Sequence, residues 1–343
     1  MAQITDNQAA WLPEEKARNM EVRPGPTPNP GENEVVIKVA YAAVNPVDWK
    51  IQDNPYAKMQ YPIILGTDVA GMVVQLGSEV SRFKVGQRVI AHCDSLITGK
   101  TTNAGYQRYA TCLEILVAAV PNSLPLANAA VLPLSISTAS AALFKVLKLP
   151  FPSLKPNPTE KTVLIWGGSS SCGASAIQLA VAAGLTVATT AGAHNHNFVK
   201  SLGATYAFDH QDPDVIDQIL KILGPGDVVF DSIGIAEAQT PCTEIVSKLG
   251  GGELADVLWP LPCVYDNVTV VSVNSLDPGL VDLDIGDAVW RKYIPDALAA
   301  GKFQAKPEPL IIEGGLERVQ DGINTLRKGV SAKKVVIEVD KTI

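Results

Sequence analysis

The chain has 343 residues, enough for about two domains, and its 47% apolar and 18% charged content suits a buried core and excludes a mostly disordered chain. Lys and Arg number 28 against 35 Asp and Glu, a net charge of −7, and Lys333-Lys334 is only a pair, which argues against nucleic-acid or anionic-membrane binding. No uninterrupted apolar run reaches the roughly 18 residues of a membrane span, and the acidic Asp6, Glu14 and Glu15 stand where a secretory leader would be basic and then apolar. The five cysteines (Cys93, Cys112, Cys172, Cys242, Cys263) are scattered as neither a disulfide framework nor a zinc knuckle, so a reducing cytoplasmic setting is expected.

The first third reads as β-rich. Runs at 34–39 and 69–77 are rich in β-branched residues, and a turn at 83–86 leads into a third run ending at 90. Gly71 inside the second run predicts a bulge or a close approach. Glycine and proline punctuate these runs about every ten residues, which favours a barrel-like β domain. Residues 128–148 are Ala/Leu-rich and predicted helical, interrupted by Pro133, and a Pro-rich linker spans 149–158. Strands are then expected at 162–166, 185–190, 205–208, 227–231 and 268–273, with helices at 171–184, 196–203 and 214–223. That alternation implies an α/β domain with a parallel sheet covered on both faces. The C-terminal piece reads helix 287–300, strand 309–312, helix 315–328 and strand 333–339.

The strand ending at Trp166 runs into Gly167-Gly168-Ser169-Ser170-Ser171-Cys172-Gly173 and then into a helix. Small residues there let the backbone approach a pyrophosphate, while the helix N-terminus faces its charge. In the frame Gly167, Ser170, Gly173, serine replaces the middle glycine, with a hydroxyl able to donate to phosphate. The competing reading is a tight turn with no ligand. A dinucleotide site reading an unphosphorylated ribose places an acid after the second strand; here Thr190-Ala-Gly192-Ala-His194-Asn195-His196-Asn197 holds none. Hydroxyl, amide and imidazole donors suit a 2′-phosphate, so NADPH is the expected cofactor, with His194 or Asn195 on the phosphate and Lys200 nearby.

Asn45-Pro46-Val47-Asp48-Trp49-Lys50, Gly66-Thr67-Asp68-Val69-Ala70-Gly71, Phe83-Lys84-Val85-Gly86-Gln87-Arg88-Val89 and the turn at 167–173 together resemble the medium-chain dehydrogenase/reductase superfamily over nearly the whole chain. Leu147-Lys148-Leu149-Pro150-Phe151-Pro152 and the ending from Glu313-Gly314-Gly315 to Leu326-Arg327-Lys328-Gly329 are similar to fungal trans-acting enoyl reductases of the lovastatin enoyl reductase and ToxD type. The stretch 163–190 is similar to the related CipB-like oxidoreductases. The resemblance implies a GroES-like β-barrel catalytic domain (1–127), a Rossmann doubly wound sheet for NADPH (128–285) and a C-terminal segment (286–343) completing the first domain, with the active site at the seam. Zinc-dependent members supply Cys near Asn45 and His-Glu near Thr67-Asp68; those ligand types are missing here, so no metal is expected, and His92-Cys93 is taken as a strand end.

Without a Lewis acid, reduction of a conjugated C=C is easier to support than alcohol oxidation. Hydride would reach the β-carbon, an enolate oxygen would need hydrogen bonds or a cation, and the α-carbon would take a proton. The resemblance puts Lys50 at the active site, with Val47 and Asp48 beside the nicotinamide ribose, Thr138 as an active-site threonine, and Tyr56 where related reductases carry a proton donor. It also assigns cofactor contacts to Gly168, Ser169, Ser170, Ser171, Cys172, Thr190, Gly192, His210, Ser331 and Ala332. A solvated Lys50, a helix-packing Thr138 and a loop-packing Tyr56 are the plain alternatives. The expected substrate is an unsaturated polyketide-type thioester, carried or not by a carrier protein; rivals are a quinone or enone reductase on free small molecules and a catalytically silent NADPH-binding protein. Monomer and homodimer are both open.

Overall fold

A computed structural model describes residues 4, 6–54 and 59–342. The chain divides into two compact units, one of residues 1–133 with 308–343 and one of 134–307. Strands β1 (Gln8–Leu12), β2 (Glu21–Pro24), β3 (Glu34–Ala43), β4 (Ile63–Ile64), β5 (Asp68–Leu76), β6 (Arg88–His92), β7 (Tyr109–Leu113) and β8 (Val117–Ala119) open the first unit. The second contributes β9 (Thr162–Trp166), β10 (Thr186–Thr190), β11 (Tyr206–Phe208), β12 (Val228–Asp231), β13 (Gly252–Asp256) and β14 (Val268–Ser272). The chain then returns to the first unit with β15 (Glu308–Ile312) and β16 (Lys333–Glu338).

In the first unit β1 is flanked by β2 and β4, and a larger sheet runs β15-β16-β3-β5-β6-β8, with β7 also on β3. Strand β3 is buried along most of both faces, as its β-branched run predicts. Gly71 explains itself: a Cβ there would stand 2.0 Å from Lys38 O on β3, and the ladder shifts register nearby, between Val39 and Tyr41. The second unit is a six-stranded parallel sheet in the order β11-β10-β9-β12-β13-β14. The sheet grows outward from β9 in both directions, so the loops after β9 and β12 diverge at the switch point where such sheets bind ligands. This is the α/β class expected.

Two boundaries differ from the sequence reading. The segment 286–307 belongs to the second unit instead of completing the first. Trp290 is fully buried there and donates from Nε1 to Ser137 Oγ at 3.0 Å, while Gln304 N–H donates to Gln178 Oε1 at 2.7 Å. The first unit also keeps residues 128–133. Strand β13, between β12 and β14, and the helix Ala236–Lys248 were not anticipated. Among the described residues one helix, Leu126–Val146, is long and apolar enough to cross a membrane, but 89% of its most apolar window is buried.

Candidate functional site

In the second unit, three glycines each permit an approach no side chain would. A Cβ on Gly167 (φ +84°) would lie 2.4 Å from Ile233, one on Gly168 2.1 Å from Thr189 Oγ1, and one on Gly173 2.4 Å from Gly167 O. The turn is thus pressed flat between the β10 end and the loop after β12, leaving its backbone open to a pyrophosphate at the start of α2 (Ser171–Ala182). The first turn of α2 carries no acidic residue to repel an anion. Ser169, Ser171 and Cys172 are partly exposed around it.

Two residues here do different work from that expected. Ser170 caps α2: its Oγ accepts from Gly173 N–H at 2.9 Å and lies 3.1 Å from Ser232 Oγ. Ser232 donates its own proton to Trp166 O at 2.6 Å, so the Ser170 proton goes to Ser232 and not to a phosphate. Thr190 is fully buried, its Oγ1 accepting from Gly167 N–H at 3.0 Å and its carbonyl from Gly168 N–H at 2.8 Å. It shapes the turn from behind and does not face a ligand. Beyond it Gly192, part-exposed, leads into a short turn, Ala193–Asn195, that presents His194 at the surface, its Nε2 3.2 Å from Asn195 Nδ2. The His196 ring is held on Ala191 O at 3.2 Å. Exposed His210 follows β11, whose Phe208 pairs with Thr190, so both imidazoles leave neighbouring strand ends.

In the first unit, α1 (Pro46–Asp53) carries Val47, Asp48 and Lys50 and is capped by Asn45. The Asp48 carboxylate is fully buried, accepting from Asn45 N–H at 2.8 Å, Tyr106 OH at 2.7 Å and Gly66 N–H at 3.3 Å. Burial pushes its carboxyl up to about 6 although the Asn45 and Tyr106 donors pull it down. The expected ribose contact is therefore corrected: the Asp48 side chain fastens the start of α1, the helix that carries Val47 and Lys50. Lys50 is half-buried, and loss of hydration lowers its ammonium from the usual lysine value. Its Nζ lies 5.7 Å from the centre of the Trp49 ring.

A residue that sequence reasoning passed over sits behind the start of α1. Lys334, 3% exposed, donates from Nζ to Asn45 Oδ1 at 2.5 Å and lies 3.1 Å from Asp68 Oδ2. Asn45 Nδ2 in turn donates to Asp68 Oδ2 at 2.8 Å and Thr67 Oγ1 at 2.9 Å. Buried His92 ends β6 nearby with neither ring nitrogen hydrogen-bonded among the described residues, and burial, with Lys334 adding, lowers it to about 4 against the pull of Asp68. In the sequence Lys333-Lys334 is only a basic pair; its place at the start of a buried strand is what marks Lys334. Just before it, Ala332 adopts φ +46° in the turn with Ser331. Thr138 is buried in the helix Pro133–Ser140 and donates to Leu134 O at 2.8 Å, which leaves its oxygen lone pairs to accept. Tyr56 lies outside the described residues.

A nucleotide-cradling parallel sheet joined to a GroES-like β unit defines a dehydrogenase/reductase architecture, and comparison with known proteins agrees. Residues 31–122 match the alcohol dehydrogenase GroES-like domain and residues 172–254 the zinc-binding dehydrogenase domain. The chain belongs to the medium-chain dehydrogenase/reductase superfamily, and is an oxidoreductase. It is 63% identical over 336 residues to the trans-enoyl reductase himH of Aspergillus japonicus, covering 98% of each chain. It is 36% identical to the zinc-binding alcohol dehydrogenase domain-containing protein cipB of Emericella nidulans, over 98% of this chain and 99% of that one. Among solved structures, an alcohol dehydrogenase superfamily protein from Novosphingobium aromaticivorans superposes with a TM-score of 0.77 at 24% identity, over 97% of this chain and all of that one. The CurK enoyl reductase gives 0.74 at 21% identity, over 98% of this chain and all of that one.

Zinc, which one matched domain is named for, does not fit the residues present. Among the described residues no three His, Cys, Asp or Glu side chains are grouped to hold a metal. Of the positions the resemblance marks for ligands, Asn45 and Asp68 instead hold the Lys334 ammonium, which would repel a divalent cation, and Thr67 accepts from the Asn45 amide. A nicotinamide cofactor does fit: the turn packs so closely on Ile233, Thr189 and its own backbone that Gly167, Gly168 and Gly173 admit no side chain, and no acidic residue stands in the first turn of α2 to repel a pyrophosphate.

Proposed function

We propose that the protein is a zinc-independent, NADPH-dependent reductase of conjugated C=C bonds, acting in trans as an enoyl reductase on polyketide-type α,β-unsaturated thioesters, free or held on a carrier protein. The observation that carries this reading is the likeness to trans-enoyl reductase himH over essentially the full length of both chains. The cofactor, when bound, supplies the hydride for the β-carbon. The backbone at Gly167, Gly168 and Gly173, with Ser169, Ser171 and Cys172 around it, holds the pyrophosphate. His194 and Asn195, with His210 from the next strand end, take the 2′-phosphate, and no carboxylate between Thr186 and Lys200 opposes them. Val47 on α1, with Ser331 and Ala332 in their turn, contacts the cofactor. Lys50, its hydration partly removed, offers a cation to the enolate oxygen, where charge develops as the double bond is reduced. Thr138 accepts a hydrogen bond at the substrate.

The test is NADPH oxidation against enoyl thioesters, free enones, quinones and aldehydes. Enoyl thioesters are expected to turn over fastest. Tight NADPH binding with no turnover of any conjugated acceptor would sink the reductase reading, and turnover confined to free enones or quinones would replace it with a stand-alone reductase.

A further inference from the structure

Asp231 and Asp256 end adjacent parallel strands, β12 and β13, and face each other in register. Both are fully buried. Asp231 Oδ1 accepts from Ile233 N–H at 2.9 Å and Gly234 N–H at 3.0 Å. Asp256 Oδ1 accepts from Leu258 N–H at 2.7 Å, and its Oδ2 from Gln239 Nε2 at 2.9 Å. The remaining oxygen, Asp231 Oδ2, has no donor among the described residues. The charges acting on the two carboxyls are each other's, with no cation among them. On the helix α3 (Ala236–Lys248), the fully buried Cys242 thiol is held well above its ordinary value, chiefly by burial, and stays neutral. Two carboxylates so placed cannot both stay ionised without a partner, whereas one proton on Asp231 Oδ2 completes the set by donating to Asp256.

We propose that Asp231 and Asp256 share a single proton, and that this proton positions residues 232–234 against the nucleotide turn. The mechanical link is short. Asp231 Oδ1 folds the chain through Ile233 and Gly234; Ser232 bonds Trp166 O and receives the Ser170 hydroxyl; Ile233 fills the space a Gly167 side chain would need. A second negative charge on the pair pushes β12 and β13 apart at their ends and drags the Ser170 cap with them. The positioning role rests on the reading that the turn at 167–173 binds NADPH.

The variant Asp231→Asn keeps an Oδ1 for Ile233 and Gly234 and replaces the shared proton with a permanent N–H donor to Asp256. Burial and Asp256 together hold the Asp231 carboxyl up at about 7. An acid raised on folding stabilises fully below its unfolded value near 4 and loses that contribution as pH rises to its folded value. The Tm of Asp231→Asn minus that of wild type is therefore expected to move upward as pH rises from about 4 and to level off above about 7. Over the same range wild-type NADPH affinity, followed by nicotinamide fluorescence, falls severalfold further than that of the variant; titration of the 2′-phosphate is common to both and cancels. Asp256→Asn gives the second measurement where Asp231→Asn does not fold. A Tm difference independent of pH overturns the shared proton, and parallel affinity profiles overturn the positioning role. Wild-type protein that binds no NADPH at any pH instead overturns the cofactor reading, and the positioning role with it.

Discussion

Gly173 has no room for a methyl group, with Gly167 O 2.4 Å from where its Cβ would stand. Overlap of that kind costs about 1–3 kcal/mol. Gly173→Ala is accordingly expected to weaken NADPH binding about tenfold or more in a fluorescence titration. Lys50→Met should lower kcat by about 10²-fold, the scale of an oxyanion-stabilising group, while NADPH affinity moves less than about threefold; equal losses in both would make Lys50 a cofactor-binding residue. Tyr106→Phe removes a buried donor from Asp48 and should cost about 2 kcal/mol in chemical denaturation. Because the Tyr106 donor pulls Asp48 down, the variant should raise that carboxyl above about 6, visible by carbonyl NMR as a later titration. The nucleotide turn was legible because close backbone approach demands small residues, a demand written in composition. The tasks of Ser170 and Thr190 were not, because a hydroxyl's partners lie on other strands. Ser232 meets Ser170 from 62 positions away.

At the scale of elements, runs of β-branched residues located most strands, since such side chains fit a pleated surface on either face. Strand β13 begins at Gly252 and ends at Asp256, both depleted in strands, and is recruited by pairing with β12 and β14. Helix α3 holds Pro241 in its interior, a residue that ordinarily ends a helix; burial of Ala238, Cys242, Ile245 and Val246 against the sheet overrides it. Strand β16 is fastened to the α1 loop by Lys334 on Asn45 and to β5 by Lys334 on Asp68. Lys334→Met would strand a buried carboxylate, at about 3–5 kcal/mol. It would also raise the His92 value from about 4, since the Lys334 charge helps to hold it down; a stability loss with an unmoved His92 NMR titration would show that the ammonium and imidazole are not electrically coupled.

For the whole molecule, ligand binding to the native state alone raises stability by about 2.7 kcal/mol at one hundred times Kd. NADPH should therefore shift the thermal transition upward, and NADH at equal concentration should do so clearly less, because the surface after β10 carries imidazole and amide groups and no ribose-binding acid. Equal shifts would assign the site to both nucleotides. The two-domain layout was legible from the change of texture near residue 128, but the return point was not: helix 287–300 has the same composition on whichever unit it packs, and its anchor on Ser137 lies 153 positions upstream. That late return has a consequence for synthesis. Tyr41, Ala42 and Ala43 on β3 pair with Glu338, Ile337 and Val336 on β16, about 300 positions further along the chain. A ribosome working at about 5–20 residues per second delivers that strand on the order of ten seconds or more after β3 emerges. Throughout that interval β3 lacks its β16 partner, and by its end the second unit has all its described strands while the first still presents an unpaired apolar edge, the kind of surface that chaperones cover and that aggregates when they do not. Refolding yield and soluble expression should thus depend on β16 far more than its six residues of length would suggest.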